Sequence, residues 1–104
     1  MRIIHGDKGF HLEFFNGLTL SIQYGAGNYC ENRSISSYEK KIPPCPNFEM
    51  AVIDKSKPRN EQMLKLDTDT VFGWVPFTQL TKIIELVSNN QIEELRTFLR
   101  QRDW

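Results

Sequence analysis

The chain lacks an excess of either charge, because its 13 basic residues balance its 13 acidic residues. Nucleic-acid-binding proteins usually carry a basic excess that displaces counterions from phosphates, so a nucleic-acid partner is not expected. The chain also lacks a long hydrophobic run, and no segment approaches the ~20 apolar residues of a membrane-spanning helix. Membrane insertion is therefore not predicted either.

Cysteine is scarce: the sequence contains only Cys30 and Cys45. Neither belongs to a metal-binding pattern. A disulfide between them is allowed in principle, but the first residues show no secretory leader, so a cytosolic protein with reduced thiols is expected. Enzyme signatures such as a P-loop, GxSxG or HExxH are missing as well. The sequence therefore predicts no catalytic residue, no metal ligand and no cofactor.

A chain of 104 residues is expected to form one domain, residues 1–104, around one hydrophobic core. Residues 1–75 are predicted to be mostly strands, and residues 76–104 are predicted to be helical. This order predicts an α+β fold, in which an antiparallel sheet of hairpins is covered on one face by one or two C-terminal helices. About five to six strands are expected in that sheet.

Two alternating apolar segments flank the dipeptide Asn16-Gly17, which is a strong hairpin signal. A two-residue turn would place the apolar residues of the two strands on opposite faces. A three-residue loop that begins at Phe15 pairs Leu12 with Leu20 and puts every apolar residue on one face. The longer loop is therefore predicted, with Gly17 in a left-handed conformation and Phe15 exposed.

The remaining elements follow from alternation, helical periodicity and turn residues. Further strands are predicted at residues 1–5, 48–53, 63–66 and 71–75, and helices are predicted to begin at Pro76 and at Asn90. Pro76 suits the first position of a helix, because its missing N–H costs nothing there. Asn90 and Glu93 have the spacing of a capping box.

The segment between the first hairpin and residue 34 is the part of the chain richest in groups suited to recognition. Tyrosine rings stack on a base, side-chain amides read hydrogen-bonding edges, and an arginine binds phosphate. These groups suit a planar, polar and partly anionic ligand. The predicted ligand-binding residues are Tyr24, Asn28, Tyr29, Asn32 and Arg33.

A structural interpretation of the same segment stays open. Its tyrosines could cover the core, and Arg33 could pair with Glu31 or Glu39. A second candidate contact surface lies at the C-terminal end. Arg96, Arg100 and Trp104 could contact a partner there, although the arginines also suit the dipole of the last helix.

Three strings of the sequence resemble a family of small proteins encoded by tailed bacteriophages and prophages. The strings are NGLTLSIQYGAGNYCENR from residue 16, FEMAVIDK from residue 48 and DTVFGWVPFTQLTKII from residue 69. The first is the most distinctive, and the resemblance covers residues 9–88. The chain departs from the family pattern at the start of the FEMAVIDK strand, and it adds a second helix after Ser88.

The resemblance implies a phage protein that acts in the cytoplasm of the host cell. Small non-enzymatic phage proteins with a polar and aromatic pocket include sponges, which sequester the nucleotide signals of defence systems such as CBASS and Thoeris. By this resemblance the chain is expected to bind a cyclic nucleotide or an ADP-ribose-type ligand, as a homo-oligomer. The alternative is a protein–protein interaction module that inhibits or adapts a host protein through the polar sheet face or the C-terminal end.

Overall fold

The computed structural model describes residues 1–36 and 41–104. Five antiparallel strands form one sheet in the order β1-β2-β3-β4-β5, so each strand is hydrogen-bonded to its neighbour along the chain. The strands are β1 Arg2–His5, β2 Gly9–Glu13, β3 Leu18–Gln23, β4 Asn47–Asp54 and β5 Phe72–Pro76. The helices are α1 Leu80–Ser88 and α2 Ile92–Gln101. The predicted α+β fold is confirmed.

The hairpin between β2 and β3 has the predicted register. Leu12 pairs with Leu20, and the Phe14 N–H donates to the Leu18 carbonyl at 2.9 Å, which closes a three-residue loop. Gly17 occupies the left-handed conformation with φ +88°. Phe15 at the loop is 99% exposed. The requirement that all apolar side chains share one face therefore determines the turn length.

The core lies between one face of the sheet and the two helices. Burial of these apolar side chains is the main favourable contribution to folding. The most deeply buried residues of the central strands are Leu20, Ile22, Phe48, Met50 and Val52, and those of the helices are Ile83, Val87, Leu95 and Leu99. Within residues 1–36 and 41–104, no helix is long and apolar enough to cross a bilayer.

Asn16 connects the hairpin turn to the end of α1. Its Nδ2 donates to the carbonyls of Val87 at 2.9 Å and Ser88 at 3.1 Å. Its Oδ1 accepts a hydrogen bond from the Leu18 N–H at 3.0 Å. The last carbonyls of a helix have no partner within the helix, so this side chain satisfies two of them and orients α1 on the sheet.

The connection between α1 and α2 corrects the predicted capping box. Asn90 is left-handed, with φ 55°, and its N–H donates to the Val87 carbonyl at 3.0 Å. The next N–H, that of Gln91, donates to the Leu86 carbonyl at 2.8 Å. This pair of bonds is a Schellman motif that ends α1, so Asn90 is not available as the cap of α2. The N-cap of α2 is Gln91, and it makes no side-chain cap bond.

Two other predicted elements differ from the structure. The strand predicted at residues 63–66 is reduced to a single bridge between Met63 and Ile53. The first helix begins later than predicted, because Pro76 ends β5 and a 3₁₀ turn, Phe77–Gln79, precedes α1. Proline is compatible with both an edge strand and a helix start, so its presence alone could not distinguish the two.

An ion pair crosses the second, more polar face of the sheet. The Lys55 Nζ lies 3.0 Å from Glu13 Oε2, and the Arg2 Nε lies 3.6 Å from Glu13 Oε1. Lys55 follows β4 and Glu13 ends β2, so the pair spans β3, in which Thr19 is buried. The hydrogen bond from Lys55 is the main reason that the pKa of Glu13 is lowered.

Replacing Lys55 with methionine is expected to raise the pKa of Glu13 toward its ordinary value, because the main stabilising partner of the carboxylate is lost. Because the pKa of Glu13 is lower in the folded state than in the unfolded state, its carboxylate stabilises the folded protein at pH values above the unfolded-state pKa. That contribution is lost as pH falls through the folded-state pKa. Acidification should therefore destabilise the wild-type protein more than Lys55→Met. A carboxyl-detected NMR titration measures the shift, and an unchanged Glu13 pKa in the variant would contradict it.

Candidate functional site

The loop that follows β3 is folded by its own hydrogen bonds. The Gly25 N–H donates to Asn28 Oδ1 at 2.9 Å, and the Gly27 N–H donates to the Arg33 carbonyl at 3.0 Å. Gly27 has φ +81°, a conformation that glycine adopts without steric cost. A 3₁₀ turn, Glu31–Ser34, completes the loop. The glycine-rich segment therefore has a defined backbone conformation, in which the N–H groups of Gly25 and Gly27 are bonded within the loop.

Asn32 joins two parts of the backbone beneath the loop. The residue is 5% exposed, and its Nδ2 donates to the carbonyls of Tyr24 at 2.8 Å and Pro43 at 2.9 Å. A side-chain amide has two N–H donors, and both are used here. Asn32 therefore holds the end of β3 against the segment that leads into β4. Sequence reasoning assigned it to ligand recognition, and nothing in the sequence indicated its burial.

Glu49 attaches the loop to the sheet. It lies in β4, and its two carboxylate oxygens accept from the Asn28 Nδ2 at 3.2 Å and from the Tyr29 N–H at 2.8 Å. Hydrogen bonds to a charged carboxylate are stronger than neutral ones. Glu49 was not among the predicted site residues. Its position in an alternating strand indicated only that it points away from the core.

Tyr24 lies at the edge of the core. Its ring is half-buried and packs edge-on against Phe10 and Phe77, with centroid separations of 6.5 and 5.8 Å. Such edge-to-face contacts are a favoured geometry for aromatic rings. The stacking role predicted for Tyr24 stays a prediction, and its observed contacts are with the protein's own side chains.

Three exposed side chains form what we call the aromatic patch: Tyr29, Arg33 and Trp74. Tyr29 is 41% exposed and Trp74 is 45% exposed. The Arg33 guanidinium carbon lies 4.6 Å from the centroid of the Tyr29 ring, a cation–π contact. The Trp74 backbone N–H donates to the Tyr29 backbone carbonyl at 2.8 Å, which joins the loop to β5.

Gly73 makes this approach of loop and strand sterically feasible. A Cβ at position 73 would lie 2.4 Å from the Tyr29 Cβ and 2.9 Å from the Tyr29 carbonyl oxygen. These distances are shorter than van der Waals contact, so only glycine fits without displacing the loop. In the sequence, Gly73 is an interruption of an apolar strand, and such glycines often mark a close backbone approach.

Trp74 has an unusual backbone conformation. Its φ is 58°, and the pairing of β4 with β5 shifts register between Phe48 and Met50, opposite this residue. Left-handed angles are uncommon for residues other than glycine and asparagine, and they cost free energy for a bulky residue. The sequence predicted an apolar strand at residues 71–75, and it contained no signal for an exposed tryptophan in this conformation.

The C-terminal end packs on its own domain. The Arg96 Nε donates to the Lys65 carbonyl at 2.7 Å, and the Arg100 Nε lies 3.5 Å from Asp67 Oδ1. The Trp104 ring centroid is 5.5 Å from that of the phenylalanine in α2. Both arginines therefore hold α2 against the 65–67 segment, and the tryptophan covers an apolar ring of the same helix.

Of the two acidic residues predicted as ion-pair partners of Arg33, Glu31 and Glu39, the structure describes only Glu31. No ion pair joins Arg33 to Glu31, although both residues lie in the described part of the loop. Glu39, the other predicted partner, lies outside the described residues.

Across residues 1–36 and 41–104, no group of His, Cys, Asp and Glu side chains could hold a metal ion.

Comparisons of the chain with protein-family models, with curated proteins and with solved structures find no match. The resemblance to the tailed-phage family therefore stays a prediction.

Proposed function

We propose that this chain is a non-enzymatic protein-binding module whose contact surface is centred on the aromatic patch. The observation that carries the proposal is Trp74, a large apolar side chain that is exposed and has a left-handed backbone. Backbone strain of this kind persists where the surrounding structure imposes it, and it is concentrated at functional sites. A strained tryptophan on the surface therefore supports a binding role.

The composition of the aromatic patch fits a protein partner. Tryptophan, tyrosine and arginine are the residues most enriched among those that dominate the energy of protein interfaces. Here one of each is present: the Arg33 guanidinium contacts the Tyr29 ring, and the Tyr29 backbone carbonyl accepts from the Trp74 backbone N–H. Because the guanidinium is the exposed charge of the cluster, a partner with a carboxylate at this point is favoured.

The patch is also preorganised for binding. Glu49 accepts hydrogen bonds from Asn28 and Tyr29, and these bonds fix the backbone that carries the tyrosine ring. A surface that is already ordered loses less conformational entropy on association, which increases affinity without any added contact. The phage resemblance makes a host protein the expected partner, in the host cytoplasm.

Affinity capture with matched variants tests this proposal. Trp74→Gly relieves the left-handed strain and removes the ring, so a folded variant with lost binding is expected. Phe15→Ala is the control, because it removes an exposed aromatic ring elsewhere on the surface. Loss of a dominant interface residue weakens binding roughly 30-fold or more.

A bound host protein should be retained by wild type and by Phe15→Ala, and lost from Trp74→Gly and Tyr29→Ala. Circular dichroism of each variant confirms that the fold persists. Retention by Trp74→Gly with loss from Phe15→Ala would place the contact surface elsewhere and contradict the proposal.

A second candidate function is the binding of a nucleotide signal, as a sponge. It is favoured by the contact of Arg33 with the Tyr29 ring, which places a cation over one face of an exposed aromatic ring. It stands second because Asn28 and Asn32 bond to the protein itself instead of facing a ligand edge. Calorimetric titration with cyclic oligonucleotides and ADP-ribose derivatives tests it. The absence of binding to any of these compounds, at protein concentrations above about 10 μM, would contradict this function at micromolar affinity.

The predicted homo-oligomer stays a proposal as well. The edge strand β1 offers a surface for it, because all of its residues are exposed, including Ile3 and Ile4. Exposed edge strands are a common route to pairing between chains. Sedimentation equilibrium measures the oligomeric state.

A further inference from the structure

The two cysteines of the chain lie on adjoining segments of the structure. Asn47 Oδ1 accepts from the Glu31 N–H at 2.8 Å and from the Cys45 Sγ at 3.7 Å. One oxygen atom therefore contacts both the sulfur of Cys45 and the amide that directly follows Cys30. The Asn32 side chain bonds to the Pro43 carbonyl and so adds a second link between the same two segments.

The two thiols have different environments. Cys30 is fully buried, and its Sγ lies 4.0 Å from the Gly25 carbonyl. Burial, with a smaller contribution from the neighbouring Cys45 thiol, raises the pKa of Cys30 to about 11. Cys45 is only half-buried. Because the thiolate is the reactive form and access is required, Cys45 is the thiol that reacts first with an external reagent.

We propose that Cys30 and Cys45 form a reversible dithiol–disulfide pair, oxidised by small disulfides of the glutathione type. The proposal stands on the adjoining positions of the two segments and on the accessibility of only one thiol. It is independent of the proposed function, since it concerns the chemistry of the loop and not its partner.

The exchange proceeds in two balanced steps. The Cys45 thiolate attacks one sulfur of the small disulfide, so the Cys45–sulfur bond forms, the small disulfide bond breaks and one small thiol leaves. Cys30 then attacks the Cys45 sulfur, so the Cys30–Cys45 bond forms, the mixed-disulfide bond breaks, and the departing small thiolate takes up the proton that Cys30 loses. The protein dithiol is oxidised by two electrons, and one small disulfide is reduced to two thiols.

The disulfide would affect the loop that carries the aromatic patch. Cys30 directly follows Tyr29 in the sequence, and Cys45 lies 15 residues further on. Closing a ring of this size restricts the unfolded chain and stabilises the folded state. The midpoint of thermal unfolding is expected to rise by roughly 10 °C on oxidation.

Mass spectrometry of the folded protein, equilibrated with oxidised and reduced glutathione, tests the proposal. Wild type should lose the mass of two hydrogen atoms, with no disulfide between two chains. Cys30→Ala should accumulate a glutathione adduct on Cys45, because the resolving thiol is absent. Cys45→Ser retains the buried Cys30, should fold, and should stay unmodified.

Two results would overturn the proposal. One is a stable glutathione adduct on Cys45 of wild type, which would show that Cys30 cannot reach it. The other is a modified Cys45→Ser variant, which would show that Cys30 reacts by itself. Addition of a reducing agent should restore both the wild-type mass and the lower unfolding midpoint.

Discussion

Replacing Gly9 with alanine is expected to lower the free energy of unfolding by about 3 kcal/mol. Gly9 lies in β2 and pairs with Gln23 of β3. A Cβ at this position would lie 1.9 Å from the Ile22 carbonyl oxygen and 2.9 Å from its carbonyl carbon. These atoms belong to the backbone of the central strand, so no side-chain rotation can relieve the overlap. The strands would have to separate at the end nearest the loop that follows β3.

Gly6→Ala is the matched control for this substitution. A Cβ at Gly6 would meet only the Gly9 carbonyl oxygen at 3.8 Å, an ordinary contact. Chemical denaturation of both variants measures the difference, and Gly9→Ala should also unfold at a temperature lower by roughly 15 °C. Equal stability of the two variants would show that β2 does not approach β3 as closely as the structure indicates.

Gly9 also illustrates what sequence reasoning could not decide. The string Gly6-Asp7-Lys8-Gly9 has the composition of a turn bracketed by two glycines, because glycine is common in turns. Only Gly6 lies in the turn, and Gly9 belongs to the strand, where it permits close approach of a neighbour. Both uses require a missing side chain, so the residue type alone does not distinguish them.

Most of the fold was predictable, because alternation of apolar residues has few solutions. Of the two-residue and three-residue turns at Asn16-Gly17, only the three-residue loop, which pairs Leu12 with Leu20, puts both strands' apolar residues on one face, and the structure has it. In contrast, Asn16 and Asn90 were interpreted from local patterns. Their observed partners at the end of α1 depend on how that helix packs, which is tertiary information.

The candidate site was less predictable than the fold. Tyr29 and Arg33 were predicted and are exposed, but Trp74 and Glu49 join them from strands far along the chain. The composition of the loop describes it as one unit, whereas the structure combines part of that loop with groups from β4 and β5. Exposure is decided by the packing of these elements, and no local pattern reports it.

Replacing Asn32 with alanine distinguishes a structural role of this side chain from its predicted role in ligand recognition. The amide donates to the carbonyls of Tyr24 and Pro43, and its removal leaves both without this partner. The expected loss is about 2–3 kcal/mol in the free energy of unfolding. Asn32→Asp should lose more at neutral pH, because a buried carboxylate would face two carbonyl oxygens and repel them.

Asn60→Ala is the control, since Asn60 is exposed in a 3₁₀ turn and its removal should change stability by less than about 0.5 kcal/mol. Chemical denaturation measures all three variants. If Asn32 instead binds the edge of a ligand, as the composition of the loop indicated, Asn32→Ala should match the control in stability and lose only ligand affinity. Because the structure uses both amide hydrogens within the protein, we expect the stability of Asn32→Ala to fall and the loop that carries Tyr29 to loosen with it.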